Sequence, residues 1–141
     1  MSATIPSGLR HTQTIRVTDS LTVPAVSSAF TSFADMPPVF ATAYLVGFVE
    51  WACIEALKPY LTPQQKTVGI HVDLSHSAAT PVGMTVTAEV ELVAVDRNRL
   101  TFNVLCRDEV EVICEGRHER FVVDAAKFLE KVAAKGNRES A

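Results

Sequence analysis

The chain has 141 residues, 48% of them hydrophobic and 21% charged, a composition that suits a folded globular protein and excludes a disordered or fibrous one. One domain over residues 1–141 is expected, able to bury roughly two-thirds of its unfolded surface without a disulfide or metal. Thirteen Lys and Arg against sixteen Asp and Glu leave a formal net charge of -3, which argues against nucleic acid as a partner.

Residues 1–13 are polar, lack the apolar stretch of a signal peptide and read as a flexible leader. Ile15 and Val17 then alternate with Thr14, Arg16 and Thr18, the pattern of a short strand. Pro24, Pro37 and Pro38 forbid one continuous helix over 23–38. Within that stretch Phe30, Phe33 and Met36 recur every three residues, which allows one short helical turn: an apolar lid, or a packed connection. The main helix is expected over 39–58, starting after Pro37-Pro38 and stopping at Pro59. Its apolar residues lie on every side, so it is expected to be buried all round. The apolar run Val39–Ile54 contains Glu50 and is shorter than the roughly 20 residues that span a bilayer, so no membrane anchor is expected.

Strands follow. In 68–76 the even positions Val68, Ile70, Val72, Leu74 and His76 form one face; in 85–92 they are Val86, Ala88, Val90 and Leu92; in 99–107 they are Leu100, Phe102, Val104 and Cys106. Such alternation gives each sheet a wet face and a buried one. Asp96-Arg97-Asn98 and Asp108-Glu109 supply turns before a last strand over 110–123. Asp124 caps a C-terminal helix with a Phe128, Leu129, Val132 face; Gly136 ends it, and 137–141 are expected to fray. The economical packing lays an antiparallel sheet on the long helix, an α+β arrangement. One small sheet cannot surround an apolar helix, so a second copy of the chain is expected to cover the remainder. Cys53, Cys106 and Cys114 form no C-x-x-C pair, are odd in number and read as small core residues in a reducing, cytoplasmic setting.

Glu50 is the main anomaly. A carboxylate inside Leu45–Ile54 needs partners or water, because burying it alone costs several kcal/mol. His76 shares the parity of the inward apolar residues, whereas His71 has the opposite one; the two do not form a metal pair, and no metal site is expected. Thr42 stands near the start of the helix, a cap or a reactive hydroxyl. Thr42 and Glu50 lie eight residues apart, roughly 80° around the helix and about 12 Å along it, so a site using both needs substrate, His76 or a second subunit as a bridge. Gly69 interrupts a Val- and Ile-rich strand, as a bulge or a point of close approach. His118 and Arg120 share the parity of Val110, Val112 and Cys114, which points them inward if the register holds; Phe121 and Val123 break that register and suggest a bulge, and the alternative is an ordinary surface cluster, His118-Glu119-Arg120.

The helix Phe40–Cys53, the segment His76-Ser77-Ala78-Ala79-Thr80-Pro81-Val82-Gly83 and the run Gly116-Arg117-His118-Glu119-Arg120 together resemble the fluoroacetyl-CoA thioesterase family of hotdog-fold acyl-CoA hydrolases. The resemblance covers roughly residues 27–132. It implies a homodimer with sheets wrapped around central helices and active sites between the subunits. It further implies that Thr42, Glu50 and His76 are catalytic, that Gly69 lies near the acyl group, and that Arg120 lies near the substrate. Phe33 matches the family's aromatic lid, but Met36 stands where that lid has a phenylalanine, so thioesterase activity carries over better than selectivity for the fluorinated substrate. No cofactor is implied; coenzyme A enters as part of the substrate.

These residue types suit thioester hydrolysis. A hydroxyl or a water attacks the carbonyl once a base takes its proton, and a histidine titrates in the right range. Glu50 can steady the imidazolium, attack, or activate water. Two rival readings share the fold: an enoyl-CoA hydratase or dehydratase, which Asp73 serves poorly because its parity opposes that of His76, and a non-catalytic acyl-CoA binding module.

Overall fold

The computed structural model describes residues 4–137. Five antiparallel strands form one sheet in the order β1-β3-β4-β5-β2. They are β1 (Arg10–Arg16), β2 (Gln65–Leu74), β3 (Thr85–Asp96), β4 (Arg99–Arg107) and β5 (Val112–Asp124). Helix α1 (Thr42–Leu57) lies across the sheet's inner face and α2 (Ala125–Gly136) follows β5. This is the expected hotdog arrangement. Bulges at Leu92/Ala94, Gly69/His71 and Cys106/Arg107 interrupt the ladders, and such bulges bend strands and so help curl the sheet around the helix.

The inward residues of β3 and β4 are the expected ones. Val86, Ala88, Val90, Leu92, Leu100, Phe102, Val104 and Cys106 are buried against Leu45, Phe48, Val49, Ala52, Cys53, Ala56 and Leu57 of α1. Arg97 and Asn98 join the two strands in a tight turn, with Arg97 at φ 56. Cys53, Cys106 and Cys114 are free thiols inside this core, and burial raises that of Cys53 to about 12.

Three sequence expectations need correction. Residues 1–13 are not a loose leader throughout: from Arg10 the chain pairs with β3, and Ile5 and Leu9 pack on the core. The inward positions of β1 include His11 and Gln13, which hydrogen-bond each other, so the strand shows little apolar alternation. Residues 1–3 and 138–141, where further fraying was expected, lie outside the described residues. Helix α1 begins at Thr42 rather than 39, because Val39 and Phe40 bridge Pro81 and Thr22 as extended chain. As expected of one small sheet, its own chain leaves part of α1 uncovered. Thr42, Ala43, Gly47, Trp51 and Ile54 stay exposed along one stripe, with Val46 and Glu50 half-buried between them. Finally, β5 starts at Val112, Val110 is exposed, and no bulge follows Arg120: Val122 remains inward while Phe121 turns to solvent.

The 18–40 segment runs over the start of α1 as three short 3-10 turns, the last spanning Thr31–Asp35. The Tyr44 hydroxyl donates to the Ala25 carbonyl at 3.3 Å and ties the segment to the helix. The α2 cap is as expected, with the Lys127 amide donating to Asp124 Oδ1 at 3.0 Å. The Phe128, Leu129 and Val132 face of α2 stays exposed. Among the described residues no helix is long and apolar enough to cross a membrane.

Candidate active site

Two polar clusters lie along α1. The first is at its N-terminus. The Phe40 amide donates to the Thr80 carbonyl and the Ala41 amide to that of Leu21, so Thr42 enters the helix from a fixed position. His76 lies just beyond β2, on chain that still runs beside β5 through Ser75 N to Glu115 O and Ser77 N to Ile113 O, both 2.9 Å. Thr80 anchors the far end of this segment by donating to Asp108 Oδ2 at 2.9 Å, while Asp108 Oδ1 accepts from the Val110 and Glu111 amides. Burial alone raises the Asp108 pKa, but these three donors outweigh it and hold the carboxyl below its usual range. The result is a 2.7 Å hydrogen bond between Thr42 Oγ1 and His76 Nδ1. Burial lowers the pKa of His76 and favours the neutral imidazole; its buried Nε2 has no hydrogen-bond partner among the described residues.

The second cluster centres on Arg120. Its buried guanidinium donates from Nε to Thr67 Oγ1 at 2.8 Å, from Nη2 to the Thr67 carbonyl at 2.9 Å, and from Nη1 to Glu50 Oε2 at 3.0 Å and His118 Nε2 at 3.1 Å. His118 Nδ1 lies 2.8 Å from the His71 carbonyl. A Cβ on Gly69 would stand 2.7 Å from Glu50 Oε2 and 3.2 Å from His118 Cε1, so the missing side chain makes room for the carboxylate.

Of the residues singled out in the sequence, Thr42 and His76 therefore meet, and Glu50, Gly69 and Arg120 meet. The two groups remain separated by the two turns of α1 between Thr42 and Glu50. Phe33 and Met36 sit in the 18–40 segment, where Phe33 stacks edge-on with Phe30 at 5.2 Å and Met36 is exposed. No described hydrogen bond or ring contact joins Phe33 or Met36 to either cluster. The strand parity assigned to β2 is corrected in its first half. Thr67 and Gly69, not Val68, face the helix; the Gly69/His71 bulge, with Ile70 exposed within it, then moves the inner face to Val72 and Leu74, opposite His118 and Gly116, with Leu74 on the core and Val72 left exposed. Sequence reasoning missed Thr67, which carries no distinguishing signal. It placed His118 inward but gave it no role; its spacing of two from Arg120 on one strand face was the available clue.

A family model described as "Fluoroacetyl-CoA-specific thioesterase" matches residues 17–126. A fluoroacetyl-CoA thioesterase of Streptantibioticus cattleyicolor is 41% identical over 128 residues, covering 91% of this chain and 92% of that protein. A solved structure of a fluoroacetyl-CoA thioesterase, as a threonine-to-serine variant in complex with acetyl-CoA, superposes with a TM-score of 0.90 at 40% identity, covering 93% of this chain and 98% of that one. A hot-dog-like protein from Thermanaerovibrio acidaminovorans, 23% identical, shares the fold with a TM-score of 0.79 over 96% of each chain.

Proposed function

The chain belongs to the fluoroacetyl-CoA-specific thioesterase family, and from that membership we propose that it hydrolyses a small acyl-CoA to the free acid and coenzyme A, with Thr42, Glu50 and His76 as the reacting groups. The observation that carries the reading is the 2.7 Å contact between Thr42 Oγ1 and His76 Nδ1. A hydroxyl is a weak nucleophile until a base removes its proton. In the tautomer protonated at Nε2, His76 takes that proton through Nδ1 as the oxygen attacks the thioester carbonyl. The imidazolium returns it to the departing sulfur, and a water activated by the same base then releases the acid. The lowered pKa of His76 keeps the base form populated at neutral pH.

Glu50, held by Arg120 beside Gly69, supplies negative charge at the acyl end of the site. In one chain it lies about 12 Å along the helix from Thr42. The stripe Thr42, Ala43, Val46, Gly47, Glu50, Trp51 and Ile54 carries both clusters on the face of α1 that its own chain leaves uncovered. A homodimer that buries this stripe brings both clusters to one acyl-CoA. Phe33 and Met36 close over the acyl group. No cofactor enters the reaction.

The test is release of CoA thiol from acetyl-, fluoroacetyl-, propionyl- and butyryl-CoA. Wild type is expected to hydrolyse at least one of them. His76→Ala and Glu50→Gln should keep the fold, with His76→Ala losing about 10²–10⁴-fold in rate. Thr42→Ala should be impaired and Thr42→Ser partly active. Wild-type protein that frees no thiol from any of the four, or His76→Ala at the wild-type rate, would overturn the assignment.

A further inference from the structure

We infer that His118 is a positioning residue for this reaction: as a neutral imidazole it accepts a hydrogen bond from Arg120 and so holds the guanidinium against Glu50. The inference rests on the thioesterase reading for its kinetic consequence, but not for its geometry.

The hydrogen-bond partners fix the tautomer from both ends. A carbonyl oxygen only accepts, so the 2.8 Å contact to His71 requires the proton on Nδ1. A guanidinium only donates, so Nε2 presents its lone pair to Arg120 Nη1 at 3.1 Å. Nη1 has two protons, and Glu50 Oε2 receives the other. With Nε and Nη2 both bound to Thr67, every nitrogen of the guanidinium is held. The Arg120 side chain is only 4% exposed, so water cannot easily replace a lost acceptor. Removing the acceptor leaves one Nη1 proton unmatched and frees the group to turn away from Glu50.

The backbone arrangement that places His118 is specific. It alternates with Arg120 on the inner face of β5, and both are buried. The β2 ladder is interrupted at Gly69/His71, beside the carbonyl that accepts the hydrogen bond from Nδ1. Gly69 leaves space for the imidazole edge as well as for the carboxylate. The charged groups bearing on the ring are Arg120 and Glu119 on β5 and Glu50 on α1. Burial, then Arg120, lowers its pKa against the opposing pull of the His71 carbonyl and the two glutamates. A protonated ring would turn an N–H toward Nη1, so the imidazolium form and the Arg120 bond exclude each other.

Two variants and one spectrum test this. His118→Asn keeps a donor near the Nδ1 position and lacks the acceptor near Nε2; His118→Gln does the reverse. On acetyl-CoA, His118→Asn is expected to lower kcat about ten- to a hundredfold with KM little changed, and His118→Gln to recover most of the loss. In the wild type, long-range proton–nitrogen correlation of the histidine rings should show His118 protonated at Nδ1 and bare at Nε2 at neutral pH. His118→Asn with wild-type kcat, or a ring protonated at Nε2, would overturn the inference. The spectrum needs neither turnover nor a variant that folds. If wild type releases no thiol, the hydrolase reading fails while the ring spectrum still decides the role of His118.

Discussion

Gly69 and Gly116 are both indispensable positions in the geometry, but for opposite reasons. A side chain at Gly69 meets the end of the Glu50 side chain and the edge of the His118 ring, whereas one at Gly116, with φ +151, collides with the backbone carbonyl of Asp73. Gly69→Ala should therefore melt near the wild-type temperature while kcat falls at least about tenfold, because the carboxylate and Arg120 are displaced. Gly116→Ala should lose roughly 1–3 kcal/mol or more of stability, since backbone cannot move aside as a side chain does. Paired thermal melts and thiol-release rates separate the two effects. The histidines make a second prediction. His76 and His118 both have folded-state pKa values below their ordinary 6.5 because burial disfavours the cation. The unfolded chain then binds more protons, so their contribution to stability is full above about pH 6.5 and is lost as pH falls toward the folded-state values. Melting temperature should decline between pH 7 and pH 5, and the decline should be shallower in His118→Gln. A melting temperature that is flat or rising on acidification would contradict this assignment of the two rings.

At the scale of elements, the proposed lid is the 18–40 segment, which lies over the start of α1. The segment's 3-10 turns present Phe30 and Met36 to the outside, each more than a third exposed, beside the helix start that carries Thr42. Methionine adapts its shape where a phenylalanine ring does not, so wild type should discriminate modestly among small acyl groups. A fluorine or methylene in an apolar pocket is worth about 1–3 kcal/mol. Met36→Phe is therefore expected to shift the ratio of kcat/KM for fluoroacetyl-CoA over acetyl-CoA by up to about tenfold. A large wild-type preference unmoved by the substitution would place selectivity at Thr42, Glu50, Gly69 and His76 instead.

For the whole molecule, the decisive feature is the uncovered side of α1 beside the edge strand β2. Trp51, Ile54, Ile70 and Val72 are all more than a third exposed there. A Cβ at Gly47, in the middle of the stripe, meets nothing within 4 Å in its own chain. If the chain worked alone, Gly47→Ala would stabilise it by about 0.5–1 kcal/mol through helix propensity, and Gly47→Glu would be harmless. With the stripe buried between two copies, Gly47→Glu should shift light scattering from twice the chain mass to one and abolish thiol release. A wild-type protein that scatters as a single chain at micromolar concentration would sink the dimer.

Alternation alone determined β3 and β4, because each has one apolar and one wet face and a strand's period of two maps directly onto sequence. The prolines at 37, 38 and 59 bounded α1 to within a few residues, and the single carboxylate of the apolar run Val39–Ile54 drew attention to Glu50 for a sound physical reason. Thr42, His76 and Arg120 were likewise legible as candidates. Which of them touch was not. The Gly69/His71 bulge reverses the face of β2 midway; Gly69 itself was the mark of a bulge, but the unbroken alternation of Val68, Ile70, Val72 and Leu74 did not show that the face switches there. That reversal puts Thr67 and Gly69 against Arg120 and Glu50, and it brings the His71 carbonyl to His118. The alternation around Ile15 marked the end of β1, but its first part from Arg10 to Gln13 was hidden, since an edge strand with polar inward residues is held by its backbone pairing to β3 rather than by its side chains. Sequence periodicity reports burial along one element; partners contributed by separate elements were decided only when the sheet curled around the helix.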